Sequence, residues 1–261
     1  MATAAVAPVS RGVLHGRGTW SAREDRLPSA VWLAVLWLGM LLGFGTDMKR
    51  FAHEAPAPHT VIYVHAVVFS VWMLLLTAQV LLVLGNRVAW HKKLGWFSAG
   101  WAVLMLVLGP WAAMSSQANV INIPGAYDPQ FLSVNLADIV AFAVLLAWGI
   151  LLRKNPAAHK RMMILSTVAL ADPGFSRFSG YMHPQEPHSA FVWFWYTFYG
   201  NVLLVVLMAG WDWWKGRLMR SFAFGSAFLV ALLAWASAVY FWTPWHNLTN
   251  VWVTAWARRG W

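Results

Sequence analysis

The sequence predicts an all-α fold: a polytopic membrane helix bundle of about seven transmembrane helices, with the N-terminus inside and the C-terminus outside. Three observations carry this. The 261 residues are 60% hydrophobic and only 11% charged, more apolar surface than a soluble domain of this length can hide, so the bilayer is the solvent for most of it. The apolar runs are each near the ~20 residues that cross a hydrocarbon core. Finally, Lys and Arg fall in short clusters between those runs, which is a topology signal. The net charge of +10 therefore forms no phosphate-binding face, and nucleic acid is excluded as a partner. The absence of cysteine excludes both a disulfide framework and a thiolate metal site.

Residues 1–29 are rich in Ala, Gly and Arg, without periodicity, and read as a cytoplasmic N-terminal tail. The first apolar run begins only near Ala30 and no small-residue cleavage site follows it, against a signal peptide. The membrane domain spans 30–243, with its core spans at about 59–182. Its expected crossings are 30–46, 59–84, 94–114, 131–152, 159–182, 190–211 and 222–242, and 244–261 follows as an outer C-terminal tail. The fifth is unusual, since Asp172, Pro173 and Arg177 fall within it; a kink is expected near Pro173-Gly174. With the N-terminus inside, 14 Lys and Arg lie in inner segments and 4 in outer ones. That excess marks the inner side as cytoplasmic, and the protein as a multi-pass resident of the bacterial inner membrane.

The ionisable groups within this frame form two layers. On the inner side, His91 opens the third span and His159 the fifth, each followed by two basic residues, Lys92-Lys93 and Lys160-Arg161. Two neutral imidazoles from facing helices in an apolar surround are what a b-type haem asks of its axial ligands. Lys92 and Arg161, with their neighbours, would then face the propionates. The plainer alternative makes both junctions positive-inside anchors on lipid phosphates.

On the outer side, His65 and Asp138 lie roughly 10 Å below the surface at ~1.5 Å per residue. His65 could pair with His183 or His188 across a second haem, with Arg177 on a propionate. His65, Asp138, His183 and His188 could instead hold zinc or iron with an activated water. Alternatively Asp138 or Asp172 pairs with Arg177, as a structural brace or a transport site, because buried charges need partners. His65, Trp72 and Gln79 recur every seven residues and so share one helix face, which could line a cofactor or quinone pocket.

At these positions the chain resembles an uncharacterised family of bacterial multi-spanning membrane proteins, a domain of unknown function. Its members carry a His in an early span, then His-Arg-x-Leu-Gly-Arg and His-Arg-Arg-Trp-Met motifs. The matching residues are His65, His91-Lys-Lys-Leu-Gly95-Trp96, His159-Lys-Arg-Met-Met163 and Arg177. The histidine arrangement also looks like that of di-haem cytochromes of the b561 type, a fold-level analogy.

Three functions follow as expectations. The first is b-type haem electron transfer between quinol and a redox partner, with His91 and His159 on an inner haem. The second is a transporter using Asp138, Asp172 and Arg177, or an accessory subunit of a membrane complex without redox chemistry. The third is an outward-facing membrane metallohydrolase.

Overall fold

The computed structural model describes residues 13–15, 25–182 and 189–259. Among them the chain forms nine α-helices: α1 (Arg26–Ala52), α2 (Thr60–Leu84), α3 (Val88–Asn119), α4 (Leu132–Leu151), α5 (Pro156–Val168), α6 (Asp172–Met182), α7 (Ala190–Trp214), α8 (Arg220–Tyr240) and α9 (Thr243–Ala257). Two short strands, β1 (Val13–His15) and β2 (Leu218–Met219), pair antiparallel and tie the N-terminal segment to the α7–α8 connection. Six helices are long and apolar enough to cross a membrane: α1, α2, α3, α4 with its flanking 3₁₀ turns, α7 and α8. Large apolar side chains such as Leu41, Val67, Leu74 and Val107 point outward from the bundle, as lipid-facing residues do.

Three expected elements take a different form. α1 begins four residues before Ala30 and continues through Asp47 to Ala52, so the segment assigned to an outer loop starts as helix. The stretch expected as a kinked fifth span is two helices separated at 169–171. The break precedes Pro173 because proline lacks the N–H and its ring crowds the carbonyl four residues back. Pro173 instead sits in the first turn of α6, where neither defect matters. Lastly, the segment read as an outer tail contains α9, whose Thr249 and Val253 are buried against the bundle.

The core lies where α1, α4, α5, α7 and α8 meet, around Leu36, Leu145, Met162, Leu165, Phe198, Leu204 and Leu229. A second cluster joins α2, α3 and α4 through Trp72, Met105 and Phe142. α1 packs closely on α6. A Cβ built on Gly43 would lie 1.8 Å from the carbonyl oxygen of Gly174, so the two backbones touch with no room for a side chain. Gly43→Ala is expected to force α1 and α6 apart and cost about 1–3 kcal/mol. Thermal melting in detergent checks this, and an unchanged midpoint would contradict the contact.

Candidate functional site

The break between α5 and α6 is held from two sides. Trp72 on α2 donates to Thr167 Oγ1 (3.2 Å), and Asn201 on α7 donates to the Val168 carbonyl (2.7 Å). Both partners belong to the last turn of α5, where carbonyls lack intrahelical donors. Leu170 and Ala171 close the turn through shorter-range bonds to Thr167 and Val168. A small cavity beside it is lined by Leu36, Met40, Phe69, Trp72, Met73, Thr167, Leu170 and Ala171.

Asp172 is the first residue of α6, where the helix dipole favours an acidic group. Asp138 projects from the face of α4 that carries the fully buried Val134, Ala141 and Leu145. The two carboxyls are 2% and 5% exposed and lie within hydrogen-bonding reach of each other. Ionised carboxylates only accept, so a bond between two of them requires a proton on one. Each keeps its Oδ1 without a hydrogen-bond partner.

Arg177 does not pair with them as expected. It donates to Asp47 Oδ2 (3.0 Å) on α1 and to the Pro173 carbonyl (2.8 Å), and it lies over the Phe44 ring at 4.7 Å. The reason is reach. Arg177 stands more than a turn beyond Asp172 along α6, beside the end of α1, where Asp47 is also held by Arg50 at 2.6 and 2.7 Å. This cluster is partly hydrated, with Arg177 36% exposed and Arg50 62%, so each pair contributes about 0–1 kcal/mol.

At the other end, Asn155 and Pro156 set the histidine junction. The Asn155 side chain caps α5 by accepting from Ala158 N (3.2 Å), with Pro156 as the first helical residue, a favoured pairing at helix starts. His159 thereby falls in the first turn and its Nδ1 reaches the Gly149 carbonyl (2.8 Å). His91, in the first turn of α3, faces it with ring centres 6.3 Å apart and ring planes at 80°. The hydrogen-bond network orients the Gln79 amide so that its nitrogen donates to His91 Nδ1 (2.5 Å) and to the His91 carbonyl (3.1 Å). Its oxygen accepts from Gly95 N (2.8 Å). The tautomers then complement each other: His159 carries its hydrogen on Nδ1, and His91 on Nε2.

Lys160 and Arg161 do not flank this pair as propionate partners. Their side chains turn to a buried ion cluster on the opposite side of α5. Arg161, 4% exposed, forks onto Asp212 of α7 (2.5 and 2.7 Å) and also donates to Asp25 Oδ2 (2.9 Å). Lys160 pairs with Asp25, and Arg217 reaches Asp25 at 3.3 Å. α5 is short of lipid contact here, so its cations face protein and require carboxylates. Lys92 and Lys93 stay exposed, the latter over the Trp90 ring at 5.0 Å.

His65 is half-buried and packs on Phe69 with ring centres 4.1 Å apart. Its proposed partners His183 and His188 lie outside the described residues. Among the described residues no three His, Asp or Glu side chains gather as a metal-ligand set. Sequence reasoning missed Asp25, Asp47, Asp212 and Arg217. A signal for Asp212 was present: a lone acid among tryptophans at a membrane edge, at the level of the basic junctions. No protein-family model, no curated protein and no solved structure matches this chain.

Proposed function

We propose that the protein is a seven-span carrier that moves protons across the bacterial inner membrane. The N-terminus is inside, and α5 and α6 together make the fifth crossing. Asp138 and Asp172 bind the proton. The observation that carries this reading is the carboxyl–carboxyl contact at the helix break. Ionisable groups in a membrane interior are costly and are kept for use, and interrupted spans are where carriers place their sites. The pair offers what a proton carrier needs: two acceptors and one hydrogen, dry, beside a helix N-terminus. At the Asp25 end, His91 and His159, with ring centres 6.3 Å apart, are a second pair of proton-exchanging groups by which a proton would enter or leave.

The test uses proteoliposomes with an entrapped pH dye and an imposed potassium diffusion potential. The protein is expected to acidify the lumen, and Asp138→Asn or Asp172→Asn to reduce acidification to the protein-free level. Parental flux in both variants would overturn the proposal.

A second reading, b-type haem electron transfer with quinol, is favoured by one observation, the 6.3 Å between the His91 and His159 ring centres. A haem iron, if bound there, would be held by one imidazole nitrogen from each of the two histidines. His159 also has its Nδ1 tied to a carbonyl, as ligating histidines do. His91 fits only if the Gln79 amide turns to accept from Nδ1, and Arg161 is committed to Asp212 and Asp25. Lys92 and Lys93 would hold the propionates, and the haem when bound would supply one-electron chemistry. Purified protein reduced with dithionite should then show a b-type α-band that His91→Ala and His159→Ala each abolish. A featureless visible spectrum removes this reading.

A further inference from the structure

α9 does not resemble the other helices in how it meets the bundle. Its fifteen residues reach roughly 22 Å at 1.5 Å per residue, too short to cross. Four side-chain bonds fix its rotation. Trp245 Nε1 donates to the Gln130 carbonyl (3.0 Å), and His246 Nδ1 lies 2.6 Å from Gln130 Oε1. Tyr127 donates to Asn250 Oδ1 (2.7 Å), and Trp256 Nε1 donates to Ser115 Oγ (3.2 Å). With those contacts made, Thr249 and Val253 are buried against the bundle.

The opposite face then carries Leu248, Val251, Trp252 and Ala255, all exposed. They recur at i, i+3, i+4 and i+7, so they form one continuous apolar stripe along the helix. Trp242, 58% exposed, stands immediately before the helix. Arg258 and Arg259 follow at the other end, also exposed. A stripe of Leu, Val and Trp closed by two guanidinium groups has the chemistry of a helix lying in a membrane interface. Its apolar side reaches the acyl boundary and its arginines reach phosphates. The stripe also lies at the end of the bundle where α3 finishes and α4 starts, since α9 is bonded to Ser115 and Gln130.

We propose that α9 is an interfacial helix, and that its Leu248–Val251–Trp252–Ala255 face is buried in the phospholipid headgroup and acyl boundary of the leaflet at that end. It anchors the mouth of α3 and α4 to the membrane surface, independently of what Asp138 and Asp172 carry.

The chain has no cysteine, so single-cysteine variants of the full protein give clean spin labels. Val251→Cys and Leu248→Cys would be labelled with a nitroxide in phosphatidylcholine–phosphatidylglycerol vesicles, with Asn247→Cys as the control. Power saturation then measures collisions with oxygen, which concentrates in lipid, and with a water-soluble nickel chelate. Labels at 248 and 251 are expected to be at least several-fold more accessible to oxygen than to nickel, and the label at 247 to show the reverse. Nickel access at 248 and 251 would overturn the proposal in favour of a solvated surface. Access to neither reagent would overturn it in favour of a protein contact, such as a second copy. If one label disturbs folding, the other still decides, because both stand on the same stripe.

Discussion

Asp172→Asn is expected to fold as the parent does and to stop proton translocation. The amide keeps the size of a protonated carboxyl and supplies an N–H toward Asp138, so the contact at the break survives. The stability change should be of the order of one neutral hydrogen bond, about 1 kcal/mol. What the amide cannot do is exchange a proton. Flux should therefore fall to background while the melting temperature hardly moves, and Asp138→Asn should behave alike. Asp172→Leu differs, because it leaves Asp138 buried without its partner, at a further cost of about 1–3 kcal/mol. Flux loss without stability loss is the signature that separates a working pair from a brace. Had the acids been braces, paired with Arg177 as the sequence suggested, neutralising either would have broken an ion pair as well as a hydrogen bond.

Arg161→Met is expected to have the opposite profile, with large effects on stability whatever the activity. Arg161 holds Asp212 bidentately and Asp25 as well, and both acids are at most 4% exposed. Removing the cation strands buried carboxylates, which costs roughly 3–5 kcal/mol. At 2–4 °C per kcal/mol for a chain of this size, the midpoint should drop by about 10 °C. Arg161→Lys should recover only part of this, since an ammonium is a point charge and cannot fork onto Asp212 while reaching Asp25. Arg161→Met with Asp212→Leu should recover more than either single change, because it replaces the pair by apolar side chains and leaves Asp25 with Lys160 and Arg217. Thermal melting of the parent, Arg161→Met, Arg161→Lys, Asp212→Leu and the double variant in one detergent tests the series, and additive losses in the double variant would contradict the pairing.

The all-helical fold and its apolar spans were legible because an apolar run near ~20 residues marks a crossing without reference to its tertiary partners. The approach of His91 to His159 was legible as well, since both open helices at the same level. What the sequence concealed was choice of partner. Arg161 stands two residues from His159, and about 200° of helical rotation over those two residues sends its side chain away from the imidazole toward α7 and the start of α1. Asp25 lay in a stretch without periodicity, and only the fold shows that it precedes α1 and meets α5. Arg177 was matched to the acids nearest in depth, but its reach runs along α6 to Asp47. The break itself was expected near Pro173, and it falls earlier because proline tolerates a helix start better than an interior. α9 was concealed because its apolar residues serve two faces, one toward protein and one outward, which blurs the period that marks an amphipathic helix.

The central claim is that Asp138 and Asp172 hold a proton between them inside the membrane, and infrared difference spectroscopy tests it most directly. The parent protein in vesicles near neutral pH should show a protonated-carboxyl stretching band that shifts on transfer to deuterium oxide. That band should be absent from both Asp138→Asn and Asp172→Asn. A parent spectrum without the band, or one that keeps it unchanged in both variants, would contradict the shared proton and the carrier built on it.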